Sequence, residues 1–250
     1  MKIILNEKEV AEQIISSSKK YRNVDTTIDL LIKYWNNIGF NKDEIIESLD
    51  EFLSVTHKSY NRVRWANRID GTINYHLKNN FELTDVKNVV ITKSELEYIR
   101  GIDSIVTERL AFVLLVYAKI LNQINSDNNN YIKNKMDEVF RCAKVTGNTD
   151  RKYGYLHQIR EYGGIDRPLR VNGSSIQIDF IDEDSEVVME ITDFREFVLE
   201  YLKWRGDNIG ECEVCGVRIE ITNNKTVCCR ECAKNKNREK TLMNYHANKS

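Results

Sequence analysis

Two cysteine pairs near the C-terminus, Cys212-Glu213-Val214-Cys215 and Cys229-Arg230-Glu231-Cys232, are separated by thirteen residues. Each C-x-x-C can sit on a tight turn that points both sulfurs at one ion. Four thiolates close a tetrahedral Zn²⁺ shell and leave no position for water or substrate, so the ion would be structural. Residues 216–228 hold an alternating apolar run, an Asn223-Asn224 turn and a second short β-prone run. That pattern predicts a small hairpin between the two metal-binding turns, a zinc ribbon over 206–250 with Gly206 to Gly210 as the hinge into it. A disulfide cluster and a redox dithiol are the alternatives; paired C-x-x-C spacing favours the metal in an intracellular chain. Cys228 competes with Cys229, but Cys229 keeps the spacing to Cys232, so the ligands read as Cys212, Cys215, Cys229 and Cys232. Cys142 falls on an apolar helix face and reads as a buried hydrophobe.

The chain opens Met-Lys-Ile-Ile-Leu-Asn-Glu-Lys, without a long apolar leader. Its longest apolar run, Leu110 to Leu121, is broken by Lys119 and is shorter than the roughly 18 residues of a membrane span. A cytoplasmic protein without a membrane partner is expected. A single proline, Pro168, in 250 residues of which 30% are charged predicts a mainly α chain with small β elements. Three regions are expected: a helical N-terminal domain over 1–88, a winged-helix-like domain with an acidic strand and helix extension over 89–205, and the ribbon.

Apolar stripes at helical spacing predict helices from Asn6 to Lys20, from Thr27 to Gly39, after Asn41, and from Tyr60 to Leu77. The fourth carries Lys58, Arg62, Arg64, Arg68 and Lys78 against Asp70 alone, and reads as a solvated face. Val89-Val90-Ile91 predicts a strand, Thr92-Lys93-Ser94-Glu95 a capping box, and Ser104 to Asn122 a central buried helix. A helix from Ile132 to Ala143 follows, then the break Thr146-Gly147-Asn148 and a helix from Asp150 to Tyr162 capped by Thr149. Leu169-Arg170-Val171, the Asn172-Gly173 turn and the alternating run Ser175 to Ile181 predict a hairpin. Helix, helix, turn, helix, two-stranded wing is the order of a winged helix-turn-helix, with Asp150 to Tyr162 as the recognition helix.

Charge is uneven along a chain whose net charge is −1. Between Arg141 and Arg170 seven basic residues meet three acids. In the expected nucleic-acid surface Arg151, Lys152, Arg160 and Arg170 supply cations, while Tyr155 and Gln158 supply hydrogen-bonding tips. From Lys225 onward seven basic residues meet two acids, with Lys234, Lys236 and Arg238 on a helix leaving the second cysteine pair. Residues 179–200 are strongly acidic, with a strand Val187 to Ile191 and a helix Asp193 to Trp204. An acidic surface repels phosphate, so it faces away from DNA or meets a basic protein partner.

The segment Val227-Cys228-Cys229-Arg230-Glu231-Cys232 with the trailing Asn237-Arg238-Glu239-Lys240 resembles the C-terminal zinc ribbon of many phage and mobile-element proteins. There an aromatic residue often precedes the first cysteine of the second pair, and Cys228 holds that position. Leu30 to Tyr34, Ile91 to Leu96, Glu108 to Phe112 and Asp193-Phe194-Arg195 are similar to a largely uncharacterised phage-encoded family of Gram-positive hosts. The resemblance covers most of the chain and implies a phage origin.

Neither a phosphate-binding glycine loop nor H-E-x-x-H nor a nucleophile elbow is present, and the four histidines are scattered. The expectation is a non-enzymatic, double-stranded-DNA-binding phage protein in transcription or replication, with one structural zinc and a homodimer as an open assembly state. The alternative is a protein-binding inhibitor of a host defence complex, akin to an anti-CRISPR, acting through its acidic surface.

Overall fold

Four asparagines start the first four helices. The computed structural model describes residues 3–19, 21–102, 104–133, 136–166, 175–224 and 226–247, with side chains as far as 243. In it α1 (Glu7–Ser17), α2 (Val24–Asn37), α3 (Lys42–Thr56) and α4 (Arg62–Asn79) follow Asn6, Asn23, Asn41 and Asn61, whose side chains each accept a first-turn N–H. Each such bond satisfies a donor that the helix itself leaves unpaired. At Asn41 the capping box is complete, since the Glu44 carboxylate accepts the Asn41 N–H at 2.7 Å.

α2 begins ahead of Thr27, which the sequence pattern had opening it. Thr27 is buried, and its hydroxyl accepts the Tyr21 N–H and donates to the Tyr21 carbonyl, both at 2.9 Å. α2 packs on α1, α3 and α4, burying Leu31 and Ile32 against Ile45, Leu49, Leu53 and Ile73. Glu7 fastens the ends of the array by accepting from Lys33 Nζ at 2.6 Å and from the Thr84 N–H at 2.7 Å. These helices belong to one compact unit, Ile3–Lys87; a second unit runs from Asn88 onward.

In the second unit β1 (Val89–Thr92) leads into α5 (Lys93–Arg100), and Thr92 and Glu95 form the capping box read from the sequence. α6 (Ile105–Ile124) is the hub, buried at every residue from Leu110 to Ile120. The chain continues through β2 (Tyr131–Lys133), α7 (Met136–Cys142), α8 (Thr149–Glu161), β3 (Ile165–Asp166) and β4 (Ser175–Ile178). β4 lies between β2 and β3 in an antiparallel sheet, with Ile176 opposite Ile132 and Ile178 opposite Ile165. β5 (Val187–Ile191) pairs antiparallel with β1, and α9 (Val198–Arg205) packs on α6. β6 (Ile209–Glu211) and β7 (Arg218–Glu220) form a second two-stranded sheet, followed by α10 (Arg230–Ala247).

The protein is thus mainly helical with small antiparallel sheets and a cysteine cluster near its C-terminus. No helix among the described residues is long and apolar enough to cross a membrane.

Several boundaries differ from the sequence expectation. The helix expected from Ile132 starts only at Met136, because Tyr131-Ile132-Lys133 pairs with β4, a partner more than forty residues away that helical periodicity cannot see. Leu169-Arg170-Val171 and the Asn172-Gly173 turn lie outside the described residues, and the described hairpin partner of β4 is β3. The helix expected from Asp193 begins at Val198, since the Asp193 carboxylate instead accepts the Arg195 N–H at 2.9 Å in a local turn. The expected Gly206 to Gly210 hinge contains the first residues of β6. The ribbon hairpin consequently encloses the first cysteine pair, rather than lying wholly between the two pairs.

Lys119, which interrupts the apolar run of α6, is buried with its charge matched. Its Nζ lies 2.8 Å from Glu95 Oε1 and donates to the Val90 carbonyl at 3.0 Å. Glu95, itself fully buried, also accepts the N–H groups of Thr92 at 2.9 Å and Asp182 at 3.0 Å. A buried ion pair persists when its remaining lone pairs are bonded in this way.

Candidate metal centre and nucleic-acid surface

β6 delivers Cys212 to the start of a tight turn. The Gly216 N–H donates to the Cys212 carbonyl at 2.8 Å, the Cys212 N–H to the Val217 carbonyl at 2.9 Å, and Gly216 has φ +72°. That left-handed backbone suits glycine because a Cβ would strain it. Cys229 and Cys232 sit at the start of α10, where the Ala233 N–H reaches the Cys229 carbonyl at 2.9 Å and the Cys232 N–H points at Cys229 Sγ at 3.4 Å. A bond from the Glu213 N–H to the Val227 carbonyl, 3.0 Å, joins the two turns.

The Sγ atoms of Cys212, Cys215, Cys229 and Cys232 all lie within 4.8 Å of one another, so these four can hold a metal ion. Cys215 and Cys229 are 3.8 Å apart at sulfur. A tetrahedron with metal–sulfur bonds of about 2.3 Å has edges of about 3.8 Å. Backbone hydrogen bonds, that of Cys229 foremost, hold the Cys212 thiol down at about 6, whereas hydrogen bonding to Cys229 and then Cys215 pushes Cys232 up. Sulfurs packed this closely cannot all ionise without a cation among them, which is the chemistry a metal supplies. Cys228 is outside the group; its sulfur accepts from Lys236 Nζ at 3.3 Å. Cys142 is half-buried and lies 3.5 Å from the Tyr117 hydroxyl.

Two arginines that the sequence reading passed over brace this centre. Arg195, paired with Asp193 at 2.7 Å, donates from Nη2 to the Cys215 carbonyl at 3.0 Å. Its hydrogen bonds hold the Asp193 carboxyl below the usual carboxylate range. Arg218 bridges Glu200 of α9 at 2.6 Å and Glu211 of β6. Only the Asp-x-Arg spacing hinted at the first contact; the second needs the register of β6 on β7. Lys144 adds bonds to Glu220 at 2.9 Å and Glu196 at 3.2 Å. Asp193, Glu196 and Glu200 of the acidic stretch 179–200 are thereby engaged within the chain.

α8 is capped by Asn148, which accepts the Arg151 N–H at 3.0 Å, rather than by Thr149. Its Leu156 and Ile159 are buried. At about 100° per residue, Asp150, Gly154, His157, Gln158 and Glu161 occupy the opposite face, with Arg151 at one edge of it and Arg160 on the flank towards the buried side. Arg151 is exposed and its Nε donates to the Tyr155 hydroxyl at 3.1 Å. Lys152 is half-buried with Nζ 5.6 Å from the Phe140 ring, and Gln158 accepts from Thr107 at 2.6 Å. Arg160 is exposed. The structure therefore brings Arg151 and Tyr155 together, leaves Lys152 half-buried, and keeps Gln158 exposed with its carbonyl oxygen taken by Thr107. Arg170 lies outside the described residues. Lys234, Lys236 and Arg238 are exposed along α10.

Comparison with protein-family models, with curated proteins and with solved structures gives no match for the chain.

Proposed function

We propose that this chain is a DNA-binding protein of phage origin, acting in transcription or replication, that carries a winged helix and a zinc ribbon. The observation behind it is the order α6–β2–α7–α8–β3–β4 with β4 central in its sheet, the connectivity of a winged helix-turn-helix in which α8 is the recognition helix. Zinc is the ion that suits four thiolates at tetrahedral edges, and it holds α10 and its cations on the ribbon. Arg151 and Arg160 are the α8 cations free to reach phosphate. Titration of the full chain into a random duplex over a salt series tests this. Arg151→Ala with Arg160→Ala should weaken binding and flatten the slope of log affinity against log salt by about 0.9 per lost phosphate contact. Unchanged affinity and slope would remove α8 as the DNA-contacting element.

A second reading, a protein-binding inhibitor of host defence, draws on one observation. Glu183, Asp184 and Glu186 are exposed beside exposed Val187 and Val188 on β5, an acidic and apolar surface suited to a basic protein partner. Loss of a host-protein complex on Glu183→Gln with Glu186→Gln, in a chain that binds no duplex, would favour it.

A further inference from the structure

α4 presents a face that its own unit touches lightly, through Lys42 Nζ donating to Asn74 Oδ1 at 3.2 Å and Phe81 beside Tyr75 at 5.3 Å between ring centroids. Ile69, Ile73 and His76 are buried. On a helix of 3.6 residues per turn, Arg64, Asn67, Gly71, Asn74, Tyr75 and Lys78 fall on the opposite side, and all six are exposed. No acid lies among them. Three carboxylates of the unit pair with other cations: Asp70 with Lys42 at 3.5 Å, Asp50 with Arg62 at 2.8 Å, and Asp25 with Arg68. Arg64 and Lys78 make no ion pair among the described residues, and they stand about 21 Å apart along the axis at 1.5 Å per residue.

Glycine is a poor helix former, yet Gly71 sits at the middle of this face of an 18-residue helix. A Cβ there would meet nothing within 4 Å, so packing within the chain does not require the glycine. A missing side chain at the centre of a cationic, amide-bearing helix face lets a partner's backbone come close. Arginine and asparagine are also the side chains whose donors match guanine and adenine edges in a major groove, and B-form DNA is wide enough there to admit a helix, whereas A-form RNA is not.

We propose that this face of α4 contacts the phosphates and major-groove edge of duplex DNA, separately from α8. The inference does not need α8 to touch DNA. The test uses the full chain carrying Arg64→Ala with Lys78→Ala and, in a second variant, Gly71→Leu, each titrated into a random duplex and into heparin over a salt series. The double variant should weaken duplex binding about tenfold or more at low salt and flatten the salt slope by about 1.8, at about 0.9 per phosphate contact. Gly71→Leu should weaken duplex binding while raising the unfolding midpoint, because leucine is the better helix former. Such a split excludes loss of fold as the cause. Unchanged duplex affinity and slope in both variants overturns the inference, as does a wild type that binds no duplex at low salt. Equal losses towards heparin and duplex would reduce the face to a general polyanion contact and overturn its placement in a groove. If only Arg151→Ala with Arg160→Ala weakens binding, the α8 reading stands and this one falls; if only the α4 variants do, the reverse holds.

Discussion

The two compact units handle charge in opposite ways. Among the described residues of Ile3–Lys87 the buried ones are apolar apart from Thr27 and His76, and three of the ion pairs, those of Asp70, Asp50 and Asp25, reach the surface, while Lys33 and Glu7 pair under cover. In the unit from Asn88 onward Glu95, Glu108, Lys119 and Glu138 are buried, Arg195 donates to the carbonyl of Cys215 in the cysteine cluster, and Arg218 ties β7 to Glu200 of α9. Glu108 shows the pattern: it accepts from the Tyr201 hydroxyl at 2.6 Å and pairs with Arg205 at 3.0 Å. The second unit thus uses part of its charge as internal fastening around α6. The first leaves α4 with Arg64 and Lys78, which make no ion pair among the described residues, and engages only Asn74 of the amides on that face, through Lys42 Nζ at 3.2 Å. A chain of nearly neutral net charge can therefore still carry a polyanion-binding face, since net charge does not record which charges are already paired.

If that contrast is right, removing the metal should have the largest effect and confine it to one unit. Binding free energy at a four-cysteine site is folding free energy. Chelation, or Cys229→Ser, should unfold the hairpin of β6 and β7 together with the start of α10. Trp35 and Trp65, both in the first unit, should keep their native fluorescence. Metal analysis of the untreated protein should give one zinc per chain, and Cys228→Ser should retain it. Loss of the Trp35 and Trp65 signals on chelation would show that the units do not fold separately.

Next in size is the Lys119 and Glu95 pair. Lys119→Met leaves a fully buried carboxylate without its cation, and breaking a buried pair in this way costs about 3–5 kcal/mol. Lys119→Met with Glu95→Gln should recover part of that loss, because the buried charge is gone but the single amide oxygen can accept from only one of the Thr92 and Asp182 N–H groups. Urea unfolding followed at Trp204, in the second unit, measures both. A single-variant loss near zero would mean that the pair is hydrated, and the contrast between the units would weaken.

The sequence made some of this legible and hid the rest for physical reasons. Asn6 and Asn41 announced caps, the Thr92 and Glu95 spacing announced a capping box, and C-x-x-C spacing announced a metal site, because each is a local pattern of a few residues. β2 was hidden because its partner is distant in sequence, and Tyr131-Ile132-Lys133 carries too few residues to show a period of two. Lys119 read as an interruption because nothing near it in sequence announces Glu95. The basic residues of α4 were visible, but whether each was free or paired depended on Asp25, Lys42 and Asp50, which only the fold places beside them.

The smallest effect sharpens the comparison most. Gly71 on α4 and Gly154 on α8 both occupy helical positions where a Cβ would meet nothing within 4 Å, and neither has a positive φ. Replacing either with alanine should stabilise its own unit by about 0.5–1 kcal/mol, the usual difference between the two residues inside a helix. The stability gains should be equal, but the consequences for a partner should not. Gly71 is bordered by Arg64, Asn67, Asn74 and Lys78, whereas Gly154 shares its face with Asp150, Glu161 and His157, the last of which lies 3.5 Å from Glu161. Gly154 is bordered by carboxylates, so if α4 alone meets the duplex Gly154→Ala should stabilise the protein with little change in affinity, whereas an α8 seated in the groove should lose affinity on the same change. Gly71→Ala should stabilise it and weaken binding, though less than leucine does. Equal weakening at both glycines, read from unfolding midpoints and duplex titrations on the same samples, would show that DNA meets the two helices alike despite their different charge.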